Sequence, residues 1–359
     1  MRARAWEELP DGDAMIGPAA RSDLALRALP LVTLYLTERC NSRCVTCDYW
    51  RYGRTDLNLE SVQRLLPELT RLQTRVALIS GGEPLLNPQW ADIVRLLKAH
   101  GIAPWLLTSG LSLAKHARPV SQLFDAVTVS LDGTTAATYA AIRGLDAFDK
   151  VCAGIRAAAA AGARVSVRVT LQRANYRELA AFIELARHTG ACQVSFLAVD
   201  VANPHAFGRA DGIAPDLALR REDLPELEQI LNRVERDHAA DFRSGFIAES
   251  PGRLRRIHQY FAAVCGEGAY PPVRCNAPEF SAVIGADTRV NPCFFIPGPA
   301  ARHRPDDLAT ALNADPMIAL RADIRAGKRR ECATCVCSLW REPGSRTAAE
   351  LLLPRKADA

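Results

Sequence analysis

Leu31-Val-Thr-Leu-Tyr-Leu-Thr37 is followed, after Glu38-Arg39, by Cys40-Asn41-Ser42-Arg43-Cys44-Val45-Thr46-Cys47. The first seven residues are leucine, β-branched or aromatic, a short apolar run that predicts a buried strand. The loop Glu38–Tyr52 then leaves the strand's C-terminal end carrying three thiols. Outward from here the pattern repeats. Similar runs predict strands at Val76–Ser80, Ala103–Thr108, Ala126–Leu131, Val165–Leu171 and Gln193–Val199. Helical spacing predicts helices at Leu59–Leu72, Trp90–Ala99 (with Asn87 as a cap), Leu111–Phe124, Phe148–Ala161, Tyr176–His188 and Leu224–His238. Gly101, Gly162 and Gly190 fall just past three of them, where a left-handed C-terminal turn favours glycine. Six strands alternating with helices imply a parallel α/β sheet. Periodicity leaves two forms open, a doubly wound sheet or an incomplete barrel, since six units are too few for the usual eight.

Composition narrows the function classes. The 359 residues are 48% hydrophobic and carry a net charge of +5, with only short basic runs at Arg253–Arg256 and Lys328–Arg330. Aromatics are 6%, with no stripe of them interleaved with a basic face, so a nucleic-acid partner is not expected. No apolar run suits a signal peptide or a membrane span, so the expected location is cytoplasmic, with no membrane partner.

Eleven cysteines are many for such a chain, and they cluster. One group is Cys40, Cys44 and Cys47; another is Cys275, Cys293, Cys332, Cys335 and Cys337; Cys152, Cys192 and Cys265 stand apart. In a reducing compartment, clustered cysteines point to metal or Fe–S ligation rather than disulfides. The count of three in the first group matters. A structural site is normally closed by four ligands, whereas three leave one metal atom open. The alternatives are zinc completed by a distant ligand, or free packed thiols.

Three further motifs end later strands: Gly81-Gly82-Glu83-Pro84, Thr108-Ser109-Gly110 and Ser130-Leu131-Asp132-Gly133. With the Cys-x3-Cys-x2-Cys loop they resemble the radical S-adenosylmethionine (SAM) superfamily over about residues 31–235. The resemblance implies an α/β fold, a partial (β/α)6 TIM-like barrel. It also implies a 4Fe–4S cluster on Cys40, Cys44 and Cys47 whose open iron is chelated by SAM. Gly81, Gly82 and Glu83 would serve the SAM amino group, and Ser130 matches the ribose-contacting position or is simply a strand-end turn with Asp132-Gly133. Ser109 and Asp132 join the cofactor-binding set. Thr46 departs from the family, which usually has a large apolar residue before the third cysteine; Tyr49 and Trp50 are the substitutes at hand. The implied chemistry is reductive cleavage of SAM to methionine and a deoxyadenosyl radical, which takes a hydrogen atom from an unactivated C–H bond. A reductant such as flavodoxin or ferredoxin is the implied electron donor.

The second group resembles a Twitch version of the SPASM-type auxiliary domain. Cys275, Cys293, Cys332 and Cys335 would hold an auxiliary 4Fe–4S cluster, with a hairpin turning at Gly285-Ala286-Asp287-Thr288; a zinc ribbon is the alternative. Cys337 and Cys265 are the candidates for a hydrogen-donating thiol. The expected organisation is an N-terminal extension (1–30), a radical SAM core (31–240), a connecting segment of short helical stretches (241–274), an auxiliary cluster domain (275–340) and a tail (341–359). The leading functional expectation is net oxidation of a small polar, aminocyclitol- or sugar-like substrate. The alternative is a peptide maturase or a radical epimerase, although about thirty residues before the first strand are few for a leader-peptide-binding domain. A molybdopterin-type cyclase is disfavoured by the absence of a terminal diglycine. A noncatalytic Fe–S or zinc protein that binds nucleic acid is the reading from a different class.

Overall fold

Each of the six apolar runs forms a strand in the computed structural model, which describes residues 18–203, 207, 209, 215–298 and 307–342. They are β1 (Leu31–Thr37), β2 (Val76–Gly81), β3 (Ala103–Thr108), β4 (Ala126–Ser130), β5 (Val165–Leu171) and β6 (Gln193–Ala198). Two short strands follow, β7 (Ser281–Ile284) and β8 (Val290–Asn291). All eight form one sheet in the order β6-β5-β4-β3-β2-β1-β7-β8. Neighbours from β6 to β7 pair in parallel, and only β7–β8 is antiparallel. A doubly wound sheet reverses its strand order at a switch point. Here the order runs from β1 to β6 without reversal, so the incomplete barrel is the form adopted.

Side chains alternate across this sheet. Val32, Leu34 and Leu36 of β1, Ala77 and Ile79 of β2, and Val165, Val167 and Val169 of β5 enter the main core against the helices. The other face lines the lumen. Its floor is a separate apolar cluster of Leu31, Val76, Trp105 and Phe280, with Leu339 packed against it. Further along the strands the lumen turns polar. Thr128 Oγ1 and Ser166 Oγ lie 3.0 Å apart, and Arg168 Nε donates to Ser195 Oγ at 2.6 Å.

The helices cover the outer face for ordinary reasons. In Leu59–Arg71 the side chain of Asn58 accepts from the Ser61 amide, and Val62, Leu65, Leu66 and Leu69 are buried at helical spacing. Each such burial contributes roughly 1.5–3 kcal/mol relative to exposure. Gly101, Gly162 and Gly190 all have positive φ, as expected.

Asn87 starts the turn that leads into Trp90–Ala99, its Oδ1 accepting from the Gln89 amide at 2.8 Å, and it has a second task. Its side-chain amide donates to the carbonyls of Leu36 and Leu57 at 2.6 and 2.8 Å, clamping the exit of β1. Two expectations need correction. A helix at Ala136–Arg143 was not anticipated, because eight alanine-rich residues after a turn carry no strong apolar period; Thr135 caps it and Gly144 ends it at φ 74°. Segment 241–274 is more regular than expected. Pro251–Val264 is one continuous helix of 14 residues, started by Ser250 as N-cap with proline in its first turn. It packs on β6 and on Leu224–Asp237.

The free edge of β6 is also covered. The Val194 amide donates to Phe246 O, the Ala248 amide to Val194 O, and the Glu249 carboxylate accepts from the Phe196 amide at 2.9 Å. Burial pushes the Glu249 carboxyl up. Among the described residues, no helix is long and apolar enough to cross a membrane.

Candidate active site at the C-terminal rim of the barrel

The first cysteine loop is built by backbone contacts. At its start, the Gly82 amide donates to Thr37 O at 2.7 Å and the Glu83 amide to Arg39 O at 2.8 Å. Gly81 lies at φ 127°, and a Cβ there would come within 2.2 Å of Thr37 O; at Gly82 it would meet Arg39 O at 2.2 Å. The glycine pair therefore lets β2 press against the root of the cysteine loop, a task the sequence reading did not assign to it. Arg39 is fixed by Asp56, which it contacts through Nε at 3.0 Å and Nη2 at 2.6 Å. On the other side, the amides of Arg43 and Val45 donate to the carbonyls of Arg143 and Ile142, each at 3.0 Å.

This scaffold presents Cys40, Cys44 and Cys47 together, each partly accessible. Burial pushes Cys40 up to about 11 and Cys47 up to about 12, and raises Cys44. The nearby Arg143 guanidinium works against that rise at all three thiols. The Ser42 amide donates to Cys40 Sγ at 3.4 Å. Among the described residues, no three His, Cys, Asp or Glu side chains close around the position of a single metal ion. A cubane binds one thiolate per iron and so asks for a wider spacing. Three thiols on one preformed loop, backed by a cation, fit that group.

Glu83 is fully buried, and its carboxylate already has partners. It accepts from Thr108 Oγ1, the Ser109 amide and Ser109 Oγ, each at 2.7 Å. The second and third strand-end motifs are thus clasped to each other, with Ser109 inside the clasp. Asp132 is a similar clasp: it accepts from Arg143 Nη1 at 3.0 Å and from the Thr170 amide at 2.8 Å. Ser130 lies opposite Arg168 in the β4–β5 register, on the lumen side.

Cys275, Cys293, Cys332, Cys335 and Cys337 come together. Cys335 feels Cys337, Cys275 and Cys293, while Cys293 feels Cys332 and Cys275. Burial pushes Cys293 up to about 12 and Cys332 up to about 11. Cys337 differs from the rest: it is solvent-accessible, yet its thiol is raised by surrounding protein and faces Arg168 and Asp200. Cys265 is not brought to this group. It ends the helix Pro251–Val264, its thiol donates to Leu219 O at 3.4 Å, and its charged neighbours are Glu267, Arg221, Glu222 and Asp223. Cys152 is buried as a packing residue, whereas Cys192 is exposed rather than packed.

Sequence reasoning missed Tyr35, Arg168 and Arg143. Tyr35 points into the lumen, edge-on to Tyr49 with ring centroids 5.8 Å apart and 6.5 Å from Phe294. Burial raises its phenol, and both Cys47 and Cys293 add to the rise, so it stands between the two cysteine groups. A charge at Arg168, inside Val-Ser-Val-Arg-Val-Thr-Leu, was a readable signal, since mid-strand charges need a polar cavity or a partner. Arg143 had no such signal, because its helix was itself unseen.

The family model for the radical SAM superfamily matches residues 34–186. The mycofactocin maturase MftC of Mycobacterium tuberculosis is 33% identical over 166 residues, 45% of this chain and 42% of that protein. This chain thus matches less than half the length of that relative. The GTP 3',8-cyclase of Erythrobacter litoralis is 30% identical over 240 residues, 64% of this chain and 71% of that protein. Among solved structures, SuiB of Streptococcus suis bound to S-adenosylmethionine superposes with a TM-score of 0.63 at 14% identity, covering 89% of this chain and 74% of that one. That likeness is one of fold.

Proposed function

This chain belongs to the radical SAM superfamily, and from that premise we propose that it cleaves SAM reductively at a 4Fe–4S cluster held by Cys40, Cys44 and Cys47. The radical so made takes a hydrogen atom from a C–H bond of a small polar substrate in the barrel lumen, for net oxidation. The observation that carries this reading is that both cysteine groups border the lumen-facing Tyr35, whose ring packs against Tyr49, two residues past Cys47, and Phe294, next to Cys293. When bound, the SAM-ligated cluster would supply homolytic cleavage of the sulfonium, and an auxiliary cluster on Cys275, Cys293, Cys332 and Cys335 an electron acceptor.

The chain's own residues do the rest. Leu31, Val76, Trp105, Phe280 and Leu339 close the floor and keep water out from below. Thr128, Ser166, Ser195 and Arg168 offer hydrogen bonds that suit a hydroxylated substrate. Gly81, Gly82 and Glu83 act on SAM by holding the loop that receives it, and Ser130 stands where a ribose contact is expected.

A second reading, peptide maturation, is favoured by the relatives: one is named a mycofactocin maturase, and SuiB has also been solved with the precursor peptide SuiA. Anaerobic assays with dithionite or flavodoxin distinguish these readings. Oxidation predicts deoxyadenosine together with a product two hydrogens lighter from an aminocyclitol or sugar. Turnover of peptides alone would replace this substrate class. A product of unchanged mass that gains one deuterium in heavy water would replace oxidation with epimerisation, with Cys337 as the first thiol to test. SAM cleavage that persists without Cys40, Cys44 and Cys47 would overturn the whole reading.

A further inference from the structure

Arg143 closes the helix Ala136–Arg143 and has no task in the reading above. It is only 9% exposed. Its Nη1 donates to Asp132, and Asp132 is held in turn by the Thr170 amide, so the guanidinium is fixed from behind. Its Nε is buried with no hydrogen-bond partner, as is the hydroxyl of the neighbouring Tyr139. A buried guanidinium held on one side only by a carboxylate keeps its charge and its place.

The surroundings place that charge beside the cysteine loop. The carbonyls of Ile142 and Arg143 receive the amides of Val45 and Arg43, so the helix end and the cysteine loop form one unit. Gly144, at φ 74°, permits the contact; a Cβ there would come within 2.2 Å of Arg43 O. The guanidinium lies within electrostatic reach of Cys44. Cys40 and Cys47 also feel it.

We propose that Arg143 is a positioning residue for the first cluster, placing a fixed positive charge against its three thiolates and raising its reduction potential. This rests on Cys40, Cys44 and Cys47 being the ligands. Reduction adds negative charge beside a guanidinium that cannot shed its proton, in surroundings that screen the interaction poorly. Asp132 opposes the effect and fixes the orientation. The loop, the fourth strand's end and the fifth strand are thereby joined through one side chain.

The test is a redox titration of the reconstituted full chain without SAM, followed by electron paramagnetic resonance. The signal to follow is the one that SAM perturbs when added afterwards. In Arg143→Gln the ratio of reduced to oxidised cluster at a fixed poise should fall about tenfold, about 59 mV for one electron. Arg143→Lys should recover most of the shift, and Asp132→Asn should move the potential the opposite way. A wild-type potential in Arg143→Gln overturns the proposal. If that variant holds no cluster, Arg143→Lys decides: a near-wild-type potential supports the charge role, and a lost cluster or a full shift overturns it. A wild-type protein with iron but no SAM-sensitive signal would instead sink the assignment of the ligands.

Discussion

Cys40, Cys44 and Cys47 ride on one loop pinned from two sides by backbone hydrogen bonds, to β2 and to the helix Ala136–Arg143. Cys275, Cys293, Cys332 and Cys335 come from three separate stretches: a segment before β7, the end of the β7–β8 hairpin, and a four-residue helix, Arg330–Ala333, with the turn that follows it. Asn276 ties these stretches, accepting from the Arg341 amide at 2.9 Å and donating to its carbonyl at 2.8 Å. The difference teaches that the first site is organised by the barrel, whereas the second depends more on whatever its thiols bind. Metal ligation contributes folding energy where regular structure is scarce.

The largest effect should follow from removing the first set. Replacing Cys40, Cys44 and Cys47 with alanine should abolish deoxyadenosine formation. The unfolding midpoint should move by no more than roughly 2–4 °C, the shift that one kcal/mol produces in a domain of 150–250 residues. A large drop would mean that metal, not backbone, holds this loop.

Gly81→Ala attacks the same loop from beneath. Its φ of 127° and the 2.2 Å approach to Thr37 O leave no room for a Cβ. Stability should fall by more than about 1 kcal/mol, and reconstituted iron should drop at the first site while the second keeps its own. Iron analysis with denaturant titration reads both.

Glu83→Ala strips a buried acceptor from Thr108 and Ser109. The loss should be about 1–3 kcal/mol for each donor left unsatisfied, seen as a lower urea midpoint. An unchanged midpoint combined with weaker SAM binding would show that the carboxylate serves SAM and not the clasp.

Chelating the iron should separate the regions more gently. The Arg43 and Val45 amides should keep their hydrogen-exchange protection, while those of Cys332–Cys337 exchange faster. Equal loss in both regions would erase the contrast. The smallest effect belongs to Cys265→Ala, which should leave iron content and SAM cleavage unchanged, because this thiol bonds to Leu219 and not to the cluster group.

Much of the barrel was legible. Leu31–Thr37, Ala103–Thr108 and Val165–Leu171 form strands over the residues expected, because parallel strands covered by helices must be apolar for their whole buried length. The boundaries at Val76–Gly81 and Gln193–Ala198 moved by one residue, within ordinary fraying. Ala136–Arg143 was not legible because it is short and alanine-rich, and Arg143 was lost with it. Cys265 was drawn toward the second group by its place in the chain, but the helix Pro251–Val264 ends at a different part of the molecule.

Sequence alone pointed to the class of chemistry, through the resemblance carried by three cysteines after the first strand and one motif at each of the next three strand ends. It did so because ligand type and strand-end position are local properties. Tertiary structure decided what each motif residue touches. Glu83 reaches Thr108 and Ser109, Asp132 reaches Arg143, and Arg143 reaches the cysteine loop. Those contacts join residues 11 to about 100 positions apart, and their partners are set by strand register and helix docking, which no local pattern encodes.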